Sequence, residues 1–148
     1  LDNFQMAERV FIKLIPRPHS FIVECKTKMA TLHMMEHRYV LAEDLLRSAV
    51  NEQQQVTGVT PAQLAATEYR LSIALGQQGK YDRTQPLLEK IIAIQQRDLG
   101  VANPLTVRSL QAYAIVLKQT QQVEAAERVC LQIEQVTALN GDSNSLRR

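Results

Sequence analysis

The chain repeats itself with a period of about 42 residues, and this feature constrains the fold more than any other. Segment 42–46 aligns with 84–88 one period later and with 126–130 two periods later, with apolar and small positions in register. The pair Gln53-Gln54 falls on Gln95-Gln96 in the same register. A repeat of this length is typical of a supersecondary unit that buries its apolar face only by stacking on its neighbours.

Each period contains two stretches whose apolar residues have the spacing of a helix face. The first helices carry Ile22, Cys25, Met29, Leu32; Leu64, Leu71, Ala74, Leu75; and Val107, Leu110, Ala114, Leu117. The second helices carry Leu45, Leu46, Ala49, Val50; Leu87, Leu88, Ile91, Ile92; and Val129, Cys130, Ile133, Val136. We expect Leu87, Leu88, Ile91 and Ala126 to lie in a core shared by neighbouring helices.

Capping and turn residues set the predicted boundaries. Thr60 and Asn103 each precede a proline, which is the pattern of an N-cap followed by the first helical residue. Gly79 falls in the tight turn between paired helices. The sequence predicts one array over 1–138, with a leading helix at 2–14 and repeats at 18–59, 60–102 and 103–138, followed by a flexible polar tail at 139–148. The predicted pairs are 19–36 with 39–57, 60–77 with 81–98, and 103–119 with 122–138.

Composition excludes several other classes. Aromatic residues make up 5% of the chain, with only 5 Gly and 5 Pro, which is too few turn and strand formers for an all-β fold. A net charge of +2 gives no basic stripe for nucleic acid. No apolar run approaches the ~18 residues that a membrane span needs, and the N-terminus has no signal-peptide pattern. The missing initiator Met suggests a piece of a longer chain.

The two cysteines, Cys25 and Cys130, are few and far apart, which fits a reducing, cytoplasmic setting. A single disulfide between them stays open at this stage. Because both fall on apolar faces with no base nearby in sequence, we expect them to be buried small hydrophobes.

The segment Gly79-Lys80-Tyr81-Asp82-Arg83-Thr84-Gln85-Pro86-Leu87, followed by Leu99-Gly100, resembles the tetratricopeptide repeat. It is most similar to the longer form of that repeat found in kinesin light chains and many bacterial signalling proteins. The resemblance covers about residues 5–137. Lys26 and Glu68 depart from the family pattern, since a large apolar residue is common at their positions.

This resemblance implies an all-α, right-handed superhelix of about three helical hairpins plus a leading helix. It also implies a non-catalytic scaffold, without cofactor, that binds a protein or peptide in a concave groove formed by the first helices. The groove residues that the resemblance implies are Thr31, Met34, Tyr69, Ile73, Arg108, Gln111, Ile115 and Lys118. Arg108 and Lys118 would favour a partner with an acidic stretch. The alternative is a regulatory or oligomerisation segment of a larger bacterial signalling protein, such as a kinase or transcription regulator, with self-association.

One motif carries a different chemistry. His33-Met34-Met35-Glu36-His37 matches the pattern H-x-x-E-H of one class of zinc proteases. On a continuous helix the two imidazoles would share a face and could hold a metal ion. We favour coincidence, with His33 packed between helices and His37 in place of a turn glycine, and keep a metal hydrolase as the third alternative.

Overall fold

The computed structural model describes residues 6, 10 and 20–145, with side chains described as far as residue 138. Within that part the chain forms six helices and no strand: α1 (Ser20–Met35), α2 (Tyr39–Gln54), α3 (Pro61–Gln77), α4 (Tyr81–Asp98), α5 (Pro104–Gln119) and α6 (Val123–Ser145). The all-α prediction is confirmed. The predicted leading helix lies outside the described residues except at Met6 and Val10, both of which are helical.

The helix ends repeat with the period seen in the sequence. His37, Gly79 and Gln121 lie one period apart and adopt left-handed conformations, with φ of 58°, 72° and 61°. Gly58 and Gly100, also one period apart, have φ of 84° and 92°. His37 therefore takes the place of a turn glycine, as the sequence predicts. Left-handed residues end helices because they turn the chain so that its next N–H groups reach back to the last carbonyls.

Two of these helix ends show the full hydrogen-bond pattern of a left-handed cap. The Arg38 N–H donates to the His33 carbonyl oxygen at 2.8 Å, and the Gln122 N–H donates to the Leu117 carbonyl oxygen at 2.9 Å. Each bond satisfies a carbonyl that has no partner inside its helix. The connection to the next helix is thereby held short.

The predicted N-caps also form. Thr60 accepts a hydrogen bond from the Gln63 N–H at 3.2 Å, and the Gln63 side chain accepts from the Thr60 N–H at 2.9 Å, completing a capping box. Asn103 accepts from the Leu105 N–H at 2.9 Å. Pro61 and Pro104 begin α3 and α5.

The chain divides into two compact units, residues 1–79 and 80–148. In the first unit α2 packs against α1 and α3, and in the second α5 packs against α4 and α6. Leu88, Ile91 and Ala126 are buried as predicted. Leu87 is only partly buried, which corrects its predicted place in the core. It lies at the edge of the buried stripe, which runs through Leu88, Ile91 and Ile92.

The buried face of α1 also differs from the predicted one. Leu32 is exposed and Cys25 is half-buried, whereas Val23, Lys26 and His33 are buried. Polar residues occupy part of the face that is actually buried. For this reason the spacing of the apolar residues alone predicts a neighbouring face of the helix. Cys130 is half-buried as well, and the two cysteines do not form a disulfide. The expectation that both are fully buried is therefore wrong.

The last helix is longer than predicted. It continues to Ser145, although the sequence pattern places its end at 138 and a flexible tail beyond it. Residues 139–145 contain no proline, and an established helix gains one hydrogen bond for each residue added. A single glycine costs only about 1 kcal/mol in such a segment. The division into one array and three repeats stays a prediction.

Candidate functional site

One face of α5 carries four exposed side chains, from Arg108, Gln111, Ile115 and Lys118. Their spacings of three, four and three residues place them along one side of the helix. Ile115 is 60% exposed, unusually open for a large apolar side chain flanked by polar ones. The structure thus brings together the four residues that the sequence predicts for this helix.

The opposite side of α5 is buried. Leu110, Ala114 and Leu117 belong to the core, together with Thr106 and Ser109. Packing therefore dictates the residues of the inner side, whereas the exposed face can vary without disturbing it. This face of α5 therefore combines one exposed apolar side chain with two cationic ones.

In the first unit the predicted site residues are less exposed. Thr31 is exposed on α1, but its hydroxyl donates to the Thr27 carbonyl oxygen at 2.9 Å within the same helix. Met34 lies one turn further along and is half-buried. On α3, Tyr69 and Ile73 are both half-buried and one turn apart. Thr31 and Met34 thus form one short stretch on α1, and Tyr69 and Ile73 form another on α3.

Side-chain hydrogen bonds fix α5 against α4. The Tyr113 hydroxyl donates to Glu89 Oε1 at 2.7 Å, and the Gln122 amide donates to Gln85 Oε1 at 3.0 Å. Burial raises the pKa of Tyr113 to about 12, and the hydrogen bond to the Glu89 carboxylate adds to that rise. Tyr113 thus ties the middle of α5 to α4, and Gln122 ties the turn that follows α5 to the same helix.

The interior of the first unit holds a buried ion pair, and the sequence indicates only one of its two members. Lys26 Nζ lies 2.9 Å from Glu52 Oε1 and donates to Ser48 Oγ at 2.7 Å, and both members of the ion pair are buried. The sequence marks Lys26 as a departure from an apolar pattern, but Glu52 was missed. Val136 is the apolar equivalent of Glu52 two periods later. Comparing these two positions would have marked Glu52 as a charged residue at a core position.

The H-x-x-E-H residues do not form a shared helix face. His33 is buried at the position that Leu75 and Leu117 occupy in the later repeats. Helix α1 ends at Met35, so His37 lies beyond it, where its Nδ1 is 2.8 Å from the Tyr39 hydroxyl. The i, i+4 geometry that a metal ion would need is therefore absent at these residues.

The described residues hold no group of three or more His, Cys, Asp or Glu side chains that could bind a metal ion. The expectation of no bound zinc stays a prediction, and elemental analysis of the purified protein tests it. Among the helices of residues 20–145, none is both long and apolar enough to cross a membrane.

Comparison with known proteins agrees with this architecture. Residues 63–130 match a family model described as tetratricopeptide repeat. A Podosopora anserina protein titled as a putative kinesin light chain with nearly identical TPR-like repeats shares the fold in two crystal structures. The first, of a single-residue variant, has a TM-score of 0.79 at 20% identity over 94% of this chain and 66% of that one. The second has a TM-score of 0.76 at 20% identity over 93% and 65%.

BtubC (BKLC) from P. vanneervenii is similar as well, with a TM-score of 0.69 at 20% identity over 90% of this chain and 52% of that chain. The chain thus spans between about half and two thirds of the length of these structures. No curated protein matches it significantly. The predicted resemblance to kinesin-light-chain-like tetratricopeptide repeats and the helical-repeat fold class are confirmed. Such repeats generally serve as scaffolds for protein–protein interaction.

Proposed function

We propose that the chain is a non-catalytic interaction module that binds a peptide or a partner segment on the exposed faces of its first helices. The observation that carries this proposal is the face of α5. It combines the open side chain of Ile115 with Gln111 and two cationic residues, Arg108 and Lys118, on a helix whose other side is buried. A rigid helix offers such a face without a further cost of ordering when a ligand binds.

The partner that suits this face carries an apolar side chain flanked by acidic ones. Ile115 would contact the apolar side chain, and Arg108 and Lys118 would attract the carboxylates, mostly by speeding and orienting the encounter. On the first unit, Thr31 and Met34 of α1 and Tyr69 and Ile73 of α3 are proposed to contact partner residues in the same manner. Their partial burial suggests contact with small or flat side chains.

The first experiment is capture of a partner by the full-length protein, with identification by mass spectrometry. The matched variant carries Arg108→Glu and Lys118→Glu, which leave the buried side of α5 unchanged. We expect the captured partner to be lost or strongly depleted with this variant. A partner that is retained by the variant, but lost when exposed residues of the second helices are changed, would favour the alternative of a regulatory or oligomerisation segment.

A further inference from the structure

The turn between α1 and α2 carries three exposed apolar side chains. Met35 is the last residue of α1, and Val40 and Leu41 lie in the first turn of α2. These side chains are 74%, 60% and 47% exposed. Only residues 36–38 separate the two helices, so all three lie at the same end of the α1–α2 hairpin. We call this surface the α1–α2 tip and define it by Met35, Val40 and Leu41.

The equivalent positions later in the chain show that the fold does not require apolar residues at the tip. These positions are mostly polar: Gln77, Asp82 and Arg83 one period later, and Gln119, Glu124 and Ala125 two periods later. Five of the six are exposed, and Ala125 is half-buried. The tip positions are therefore open along the chain whichever helices precede or follow them. What distinguishes the α1–α2 tip is that its residues are all apolar.

A cluster of this kind is a candidate for contact with another molecule. Covering apolar surface that is exposed to water is favourable, and grouped apolar side chains on a protein surface mark interaction sites. Met35 adds an adaptable side chain that fits irregular surfaces. Three side chains form only a small contact, so we expect a weak and reversible complex.

The charges beside the tip indicate which partner suits it. Glu36 and Arg38 lie in the connecting turn, with side chains 45% and 56% exposed, and Arg38 Nη1 is 3.4 Å from Glu36 Oε2. One acid and one base favour neither a strongly acidic nor a strongly basic partner. They do suit a second copy, because about a two-fold axis each surface meets itself, and the acid of one copy can face the base of the other.

We propose that the α1–α2 tip is a self-association surface, which binds the same tip of a second copy of this chain about a two-fold axis. Met35, Val40 and Leu41 form the centre of the contact, and Glu36 and Arg38 pair across it. This surface is separate from the exposed face of α5 on which the proposed function rests, so the two are tested independently.

The first test is the mass of the protein in solution, measured by analytical ultracentrifugation from micromolar to millimolar concentration. We expect the parent to pass from monomer to dimer as its concentration rises. The matched variant, Met35→Gln with Val40→Asp and Leu41→Arg, places on the tip the residues found one period later. It should stay monomeric and keep the helical circular dichroism of the parent. The control Ile115→Thr removes an exposed apolar side chain of α5 and should dimerise like the parent.

A second test uses the charges and does not depend on the apolar substitutions. Glu36→Arg gives a tip with two basic residues, and Arg38→Glu gives a tip with two acidic ones. Each variant alone should dimerise about two- to fivefold more weakly, the scale of an exposed ion pair. An equimolar mixture of the two should associate more strongly than either variant alone, and salt should reduce the difference.

The proposal is overturned if the parent stays monomeric at millimolar concentration or if the triple variant of the tip dimerises as well as the parent. A mixture of the charge variants that associates no better than its components would overturn the two-fold pairing. A monomeric parent that loses its captured partner in the triple variant would assign the tip to another protein. Dimerisation that persists in the Arg108→Glu, Lys118→Glu variant supports the proposal, whatever that variant does to partner capture.

Discussion

Single residues in the interior of the first unit carry charge where the third repeat carries apolar side chains. Lys26 corresponds to Leu110 and Glu52 to Val136, and all four are buried. The desolvation of two charges offsets much of their attraction, so a buried ion pair adds little net stability. Each member nonetheless depends on the other, because a single buried charge left behind is costly.

This dependence predicts a contrast between two lysines of the same helix. Lys26→Met should lower the free energy of unfolding by about 3–5 kcal/mol, since Glu52 would lose its buried ammonium partner. Lys28→Met removes a solvent-exposed pair with Glu24, at 2.7 Å, and should change stability little. Urea denaturation of both variants measures the difference. Equal losses of unfolding free energy in the two variants would show that burial does not determine how costly it is to break an ion pair.

Tyr113 supplies a second prediction at this scale. Its pKa is raised to about 12 by burial and by the hydrogen bond to Glu89. The pKa of a tyrosine in the unfolded state is near 10, so between pH 10 and 12 the unfolded state loses this proton while the folded state keeps it. The contribution of Tyr113 to stability is therefore full below pH 10 and is lost as the pH rises through 12.

Absorbance titration of the phenolates should accordingly show a late step from Tyr113, which disappears in Tyr113→Phe and shifts to lower pH in Glu89→Gln. Tyr113→Phe should also flatten the fall of Tm between pH 10 and 12. A parent protein whose four tyrosines all titrate near pH 10 would contradict this assignment.

At the scale of the helix, the features that local chemistry determines were predictable from the sequence. The caps at Thr60 and Asn103, the turn at Gly79 and the buried Leu88 all follow from residue type and spacing. The prediction of the buried face of α1 is wrong because a polar residue such as Lys26 can be buried when a group on another helix pairs with it. A local sequence pattern does not reveal that partner.

The buried stripe of α4 predicts a difference between adjacent leucines. Leu88→Ala should destabilise the protein by about 2–5 kcal/mol, the range for large-to-small changes in a core. Leu87→Ala should cost clearly less, because Leu87 is partly exposed and the lost side chain leaves no closed cavity. Chemical denaturation of both variants tests the register. A midpoint unchanged by Leu88→Ala would rule out the helix orientation described above.

The residues that end helices in a left-handed conformation predict opposite effects on stability for two substitutions. Gly79→Ala should destabilise by about 1–2 kcal/mol, because a β-carbon there meets no atom within 4 Å and the cost comes from its φ of +72° alone. Gln121→Gly should instead stabilise, since glycine relieves the same backbone strain at the equivalent position. Thermal unfolding of the two variants gives the comparison, and a loss of stability in both would refute the equivalence of these turns.

For the whole molecule, the sequence predicted the class of fold but only candidates for the site. The repeat period and the segment around Gly79 identify the architecture, because stacking of repeats imposes both spacing and turn chemistry. Arg108, Gln111, Ile115 and Lys118 do share an exposed face, since helix geometry alone places them together.

The most direct test of the proposed interaction role is the affinity of the captured partner for the parent protein and for the Arg108→Glu, Lys118→Glu variant, measured by calorimetry at low and high salt. We expect clearly weaker binding by the variant at low salt and a smaller difference at high salt, because exposed charges are screened. Stability should change by no more than about 0.5 kcal/mol, as for other surface substitutions. Equal affinity at low salt, with both proteins folded, would contradict recognition through the exposed face of α5.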